Sequence, residues 1–429
     1  MSELTAGHRS WRVKIFAATW LSYVGFYFCR KPFSAAKAAI GIETGWTATT
    51  LGNIWAAYLV AYALGQFVAA GLGTRFGARL NVLAGMAISI AVTLAMGMTL
   101  SVTFMAGLVA FNGLAQATGW SGNVGTMAAW FRKSERGKVM GAWANCFTIG
   151  ALTSGWAMAA VLDHHAPGEP APWRTCFYVG AATLGAIWVL FYFFQRNSPE
   201  SAGLPPIEDD AAKDDEAKPP APPAEGLGLT RSAWVNLLLV AGFYFFAKFI
   251  RYAVWSWAAY FLQKNYHLTG ARANVYATVF DLLGIPGIYL TGYLSDRFFG
   301  SRRAGISVIM MIAMTVSTAL LMALGNTSVA VFATLLGFVG FTLYGPDALL
   351  TSAGAIDIGS KRAAVFTTAI ISGFGSLGAI VQELVIARAY DAKKGELGPI
   401  FEMLFGSAAL ATLFCVVLVL RDRRGKKGV

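Results

Sequence analysis

The sequence predicts an all-α integral membrane protein with twelve transmembrane helices, arranged as two six-helix bundles related by a pseudo-twofold. Three observations predict it. Of the 429 residues, 56% are hydrophobic and 13% charged, about half the charged share of a typical soluble domain. Twelve apolar runs approach or exceed the ~20 residues that cross a bilayer. The tetrapeptide Gly-Phe-Tyr-Phe occurs at 25–28 and again at 242–245, in the first run of each half.

The first six runs fall at roughly 14–36, 50–72, 80–100, 102–130, 138–161 and 174–195. The second six fall at roughly 233–263, 271–295, 304–324, 328–353, 362–388 and 398–420. Between them, 196–231 is charged, Pro-rich and free of aromatic residues, so it cannot bury a core and reads as a linker. The expected organisation is therefore an N-terminal bundle over 1–195, a cytoplasmic linker over 196–231 and a C-terminal bundle over 232–429. No signal peptide is expected, because Trp11 to Lys14 leads into a run too long to be an h-region.

Loop charge sets the orientation. One side carries Arg9, Arg12, Lys14, Arg75, Arg79, Arg132, Lys133, Arg136, Lys138, Arg297, Arg302, Arg303, Lys361, Arg362 and the basic tail from Arg421. The other carries only Lys37, Arg174, Lys264, Arg272, Arg388, Lys393 and Lys394. That asymmetry places both termini and the linker in the cytoplasm, with a bacterial inner membrane as the expected location. The formal charge of +12 is thus a loop property and does not imply nucleic acid. The expected surroundings are lipid and the expected state a monomer. Four scattered cysteines have neither metal nor disulfide spacing, and no nucleotide-binding loop is present. No cofactor, metal or catalytic residue is expected, and the protein is not read as an enzyme.

Two loops repeat between the halves. Thr74-Arg-Phe-Gly-Ala-Arg79 answers to Gly292-Tyr-Leu-Ser-Asp-Arg-Phe-Phe-Gly-Ser-Arg-Arg303, and Lys133-Ser-Glu-Arg-Gly137 to Asp357-Ile-Gly-Ser-Lys-Arg362. The layout is that of the major facilitator fold, whose substrate site lies near the midplane where the halves meet. The first loop resembles that fold's signature, with Asp296 and Arg297 as its charge pair, one extra residue before Gly300, and Thr74 in place of the acid in the first half. Asp296 and Arg297 are expected to hold one conformation by ion pairing.

The cations inside the runs carry the functional signal. Arg30 and Lys31 lie in the first run of one half, Lys248 and Arg251 in that of the other. Each costs roughly 2.5–3.5 kcal/mol at a membrane helix centre. Only Asp281 and Asp347 stand centrally against them, with Glu383 further out, which leaves about two positive charges for a dianion such as a phosphate monoester. An arginine fork donates paired hydrogen bonds to phosphate oxygens. Arg30 and Arg251 are the expected phosphate ligands, and Asp281 and Asp347 the expected gating or ion-pair acids. Lys31 points about 100° away from Arg30 and is expected to pair with Asp281. Lys248, three residues before Arg251, either extends the anion site or pairs with Asp347.

Tyr27 and Tyr62 are expected to touch the cargo; Tyr23 shares a face with Tyr27 and Arg30, and Gln66 lies one turn beyond Tyr62. Trp120, Tyr252, Trp255, Trp257 and Tyr344 are candidate cavity walls, with ordinary packing as the alternative for each. Of these, Trp120 joins Gln66 in the expected binding set. The glycine clusters at 111–125 and 372–378 suit close helix approach. Pro286 is expected to kink the eighth helix beyond Asp281.

At these residues the chain resembles the organophosphate:inorganic phosphate antiporter family, which includes bacterial glycerol-3-phosphate and hexose-6-phosphate transporters and eukaryotic sugar-phosphate exchangers. The resemblance spans nearly the whole chain. It rests on Arg30-Lys-Pro-Phe-Ser-Ala-Ala-Lys37, Ser201-Ala-Gly-Leu-Pro-Pro-Ile-Glu208, Asp281-Leu-Leu-Gly-Ile-Pro-Gly287, Ser295-Asp-Arg297 and Tyr344-Gly-Pro346 taken together. It implies that Arg30 and Arg251 bind phosphate, beside Lys31, Asp281, Tyr23, Tyr27 and Tyr62. Departures are Gln66 for a second-helix lysine, Phe147 for a fifth-helix histidine and Lys248 for a seventh-helix tyrosine. Lys248 is read as restoring the charge lost at position 66.

The function expected is exchange of a phosphorylated metabolite, of the sugar phosphate or glycerol-3-phosphate class, for inorganic phosphate by rocker-switch alternating access. The alternative is a membrane sensor of external sugar phosphate that signals to a kinase. A proton-coupled exporter of cationic drugs is disfavoured by the net basic interior.

Overall fold

The computed structural model describes residues 4–132, 135, 139–140, 142–164, 169–207, 230–298, 303–350 and 354–423. Among them there is no strand. Twelve long helices run in order: α1 Ala6–Thr44, α2 Ala48–Phe76, α3 Ala78–Met96, α4 Val102–Trp130, α5 Asn145–Asp163 and α6 Trp173–Phe194. Then come α7 Arg231–Lys264, α8 in two pieces (Gly270–Ala277 and Val279–Phe298), α9 Arg303–Leu324, α10 Val329–Ala348, α11 Gly354–Ala392 and α12 Gly398–Arg423. Ten of these are apolar and long enough to cross a membrane. The others, α1 and α4, are long but more polar: α1 carries Arg30, Lys31 and Lys37, and α4 a run of Asn, Gln, Ser and Thr. Side chains of Ser101, Thr230, Thr269 and Ser328 cap helix starts by accepting from backbone N–H groups three residues on.

Two helices are much longer than their apolar runs. Helices α1 and α11 each span 39 residues, because a helix continues past the hydrocarbon wherever its polar end finds partners. At the start of α1, His8 is buried, with Nδ1 2.7 Å from Thr5 Oγ1 and Nε2 3.0 Å from the Pro205 carbonyl, so Nε2 carries a proton. One turn on, Arg12 pairs with Glu135. Partial burial works to raise the Glu135 carboxyl, but hydrogen bonds from Arg12 and the Arg132 N–H outweigh it and hold the group below the usual carboxylate range. That contact is intact above the ordinary carboxylate pKa and is lost only as pH falls through the lowered value.

The chain divides into two compact units, Met1–Ala39 with Ala57–Pro222 and Ile40–Ala56 with Pro223–Val429. In the first, Ala18, Phe26 and Cys29 of α1 pack on Val82, Leu83 and Met86 of α3 and Leu184 and Phe191 of α6. In the second, Asp391 of α11 accepts from the N–H groups of Ala48 (3.2 Å) and Thr49 (2.6 Å) at the start of α2. A carboxylate there satisfies two donors that a helix start leaves unbonded. A Cβ on Gly52 would stand 2.5 Å from that of Ala387. These contacts explain why 40–56 clusters with the second unit.

Helix α8 continues through Pro286, which has no N–H to bond the Leu282 carbonyl, and is interrupted earlier, at Thr278, whose hydroxyl donates to the Val275 carbonyl at 2.7 Å. Such a side-chain bond competes with the helical ladder. Close approach of α8 and α10 depends on a glycine from each. A Cβ on Gly287 would lie 2.0 Å from the Phe341 carbonyl oxygen, and one on Gly340 2.1 Å from that of Phe280. Backbone cannot yield as a side chain can. Gly340→Val is therefore expected to destabilise the protein by about 3 kcal/mol or more, read as a large drop in Tm in detergent; an unchanged Tm contradicts this packing.

Candidate anion-binding site

The repeated Gly-Phe-Tyr-Phe seats one tyrosine per unit on a helix glycine. Tyr27 lies on Gly150 of α5, where a Cβ would meet its ring at 2.8 Å, and Tyr244 on Gly375 of α11 at 2.6 Å. Each ring then lies beside a cation about one turn later. The Arg30 guanidinium carbon is 4.8 Å from the Tyr27 centroid, and Lys248 Nζ is 5.2 Å from that of Tyr244. Pro32 places a further constraint on α1. Lacking an N–H, it cannot bond the Phe28 carbonyl, and that oxygen would stand 2.1 Å from a Cβ on Gly180 of α6.

In the first unit Arg30 is enclosed by neutral groups. The rings of Tyr62 and Tyr58 lie 5.1 and 5.7 Å from its guanidinium carbon, and the two rings stack at 5.9 Å. Arg30 Nε donates to Gln116 Oε1 at 2.9 Å, and the Tyr58 hydroxyl donates to the same oxygen at 2.9 Å. Gln116 Nε2 donates to Asn112 Oδ1 (3.1 Å) and Ser89 Oγ (3.3 Å), Ser89 Oγ to Asn112 Oδ1 (2.6 Å), and Asn112 Nδ2 to the Cys29 carbonyl (2.8 Å). Gln116, Asn112 and Ser89 are all buried, so the amide has one orientation and aims the guanidinium. Among the described residues no carboxylate pairs with Arg30. Its Nη2 is buried without a hydrogen-bond partner, which costs about 1–3 kcal/mol or more for a charged donor. An anionic oxygen supplies what that nitrogen lacks.

The second unit is arranged differently. Arg251 Nη1 donates to Asp347 Oδ2 at 2.7 Å, both groups buried. The rings of Tyr344 and Trp255 lie 4.3 and 5.0 Å from its guanidinium carbon. Of the two roles open to Lys248, pairing with Asp347 is not the one seen: that carboxylate goes to Arg251. Lys248 lies beside the rings of Tyr244 and Tyr252, at 5.2 and 5.1 Å, with no carboxylate partner among the described residues. Asp281 accepts from Trp255 Nε1 at 2.8 Å and from the Tyr344 hydroxyl. Gly284, one turn after Asp281 on α8, makes room for the Tyr344 ring, which a Cβ would meet at 2.7 Å.

Thus Arg30, Tyr27 and Tyr62 come together in one unit, and Lys248, Arg251, Asp281 and Asp347 in the other. Trp120 packs on Tyr23 (5.2 Å) and Trp143 (5.3 Å), and Tyr23 in turn packs on Tyr27. Gln66, one turn beyond Tyr62, is exposed. Trp257 is fully buried against Tyr260 and Phe261, a packing residue. Trp255 is a real member of the cluster. Arg297 is exposed beside Phe298, and the Asp296 side chain lies outside the described residues. Tyr58, Ser89, Asn112 and Gln116 were not in the expected set. The signal was an i, i+4 pair of amides, Asn112 and Gln116, in an apolar run, where polar side chains are functional by default.

Gln116→Glu nearly preserves shape but hands Arg30 a carboxylate. Phosphate affinity is expected to fall at least about tenfold, since a hydrogen bond to a charged group contributes roughly 1.5–3 kcal/mol. The check is the KM for phosphate in reconstituted exchange; an unchanged KM contradicts the role of Gln116.

Twelve long helices, ten of them apolar and long enough to cross a membrane, define an integral membrane protein. Residues 15–383 match the Major Facilitator Superfamily, and the chain belongs to it. Among its relatives, a glycerol-3-phosphate transporter of Bacillus subtilis is 29% identical over 99% of this chain and 96% of its own. The membrane sensor protein UhpC of Salmonella typhimurium is 26% identical over 91% of this chain and 88% of its own. A D-xylose-proton symporter of known structure shares the fold, with a TM-score of 0.74 at 14% identity, over 94% of this chain and 97% of its own.

Proposed function

We propose that this protein exchanges an organic phosphate ester of the glycerol-3-phosphate or sugar phosphate class for inorganic phosphate, by alternating access. The observation that carries the reading is Arg30: a cation on a membrane helix, aimed by a buried amide, enclosed by three tyrosines and unmatched by any described carboxylate. Phosphate neutralises it and accepts from Nη2. Arg251 and Lys248 supply further cations for the same dianion, and an ion pair of Lys31 with Asp281 makes and breaks as the protein changes state. Asp296 and Arg297 hold one state by ion pairing. Loop charge supports cytoplasmic termini in a bacterial inner membrane, and the protein works as a monomer. No bond is made or broken, so the free energy comes from the opposing gradient.

The relative in Bacillus subtilis named for glycerol-3-phosphate supports the ester class; the relative named a sensor supports a second reading, binding with little flux. Proteoliposomes separate them. Vesicles loaded with phosphate are expected to accumulate labelled glycerol-3-phosphate or glucose-6-phosphate, and vesicles without it are not. Saturable binding without counterflow favours the sensor; neither binding nor flux overturns both.

A further inference from the structure

We propose that Asp347 restricts the cargo to phosphate esters whose organic part carries no negative charge. The inference rests on the proposed exchange function and names the class of ester within it. In the second unit, among the described residues, Lys248 and Arg251 stand with Asp281 and Asp347, two cations with two acids, so a cargo that brings a second anionic group finds no further positive charge there.

The position of Asp347 makes the count local. Its Oδ2 is 2.7 Å from Arg251 Nη1, so any group that bonds this guanidinium comes within a few ångströms of a fixed carboxylate. Asp281 adds a second acid at the same cluster, held by Trp255 and Tyr344, which are neutral donors and cancel none of its charge. In the proposed exchange a phosphoryl group is held there because Lys248, three residues before Arg251, also attracts it. A second anionic group on the cargo meets two carboxylates at low dielectric, and like charges brought together inside a site discriminate strongly between otherwise similar ligands. Hydroxyl groups meet the opposite situation, since carboxylate oxygens accept from them.

Glycerol-3-phosphate and 3-phosphoglycerate test this, because they differ only by a hydroxymethyl against a carboxylate. The readout is release of labelled phosphate from loaded proteoliposomes, driven by each ester outside. Wild-type protein is expected to respond at least about tenfold better to glycerol-3-phosphate in kcat/KM. Asp347→Asn is expected to shrink that ratio about tenfold, and Asp347→Glu, which keeps the charge, to preserve it. An unchanged ratio in Asp347→Asn, or equal use of both esters by wild type, overturns the inference. If Asp347→Asn does not fold, the wild-type ratio and Asp347→Glu still decide it. Phosphate–phosphate self-exchange separates the levels: self-exchange with no discrimination sinks the role of Asp347 alone, whereas its absence sinks the exchange reading and this inference with it.

Discussion

Arg30→Ala is expected to abolish exchange while leaving the protein folded. The two halves of that result have different causes. Arg30 brings a charged fork to the cargo, and each charge-assisted hydrogen bond lost costs about 1.5–3 kcal/mol, so losing a pair lowers kcat/KM roughly a hundredfold or more. The fold survives because Gln116 Oε1 keeps the Tyr58 hydroxyl as a donor, and its amide nitrogen keeps Asn112 and Ser89. Removing the arginine also removes an unbonded buried donor. Tm is expected to hold or rise while exchange disappears. Arg30→Lys does not rescue, since a point charge on a flexible stem cannot fork two phosphate oxygens or keep the Nε bond to Gln116. Normal exchange in Arg30→Ala removes the basis of the assignment.

Arg251→Ala is expected to show the contrasting signature, with exchange and stability lost together. Its guanidinium pairs with Asp347, both buried. Taking away one member strands a charge and costs about 3–5 kcal/mol, whereas replacing both members is often close to neutral. The double variant Arg251→Ala/Asp347→Ala is therefore expected to recover most of the lost Tm and none of the exchange. A purely structural pair predicts the reverse for transport, with exchange returning alongside Tm. The double variant tells a binding arginine from a structural one, and the single variant alone does not.

Much of this was visible in the chain because membrane interiors punish charge. Arg30 and Arg251 stand out as cations in apolar runs, and the repeated tetrapeptide shows that they belong to matching helices. The partner of Asp347 was not visible: Lys248 and Arg251 are three residues apart on one face of α7, and spacing cannot choose between them. The packing of α10 on α7 chooses. The Gln116 network was missed because Asn112 and Gln116 sit within a glycine-rich stretch whose composition speaks first of close helix approach. Only the fold brings Cys29, Ser89 and Tyr58 to them. Helix lengths failed for a related reason. Hydropathy marks where α1 lies in hydrocarbon, but its polar start is held by His8 and Arg12, each with a hydrogen-bond partner 123 residues or more along the chain. The break in the eighth helix was not visible, because it comes from a threonine hydroxyl at 278 that bonds back to the Val275 carbonyl and not from a glycine or proline.

The most direct measurement is equilibrium binding of labelled phosphate to the purified protein in lipid nanodiscs, for wild type, Arg30→Ala and Gln116→Glu. The account predicts saturable binding by wild type, none by Arg30→Ala, and binding weakened at least about tenfold in Gln116→Glu. Phosphate binding by a folded Arg30→Ala protein with wild-type affinity contradicts it.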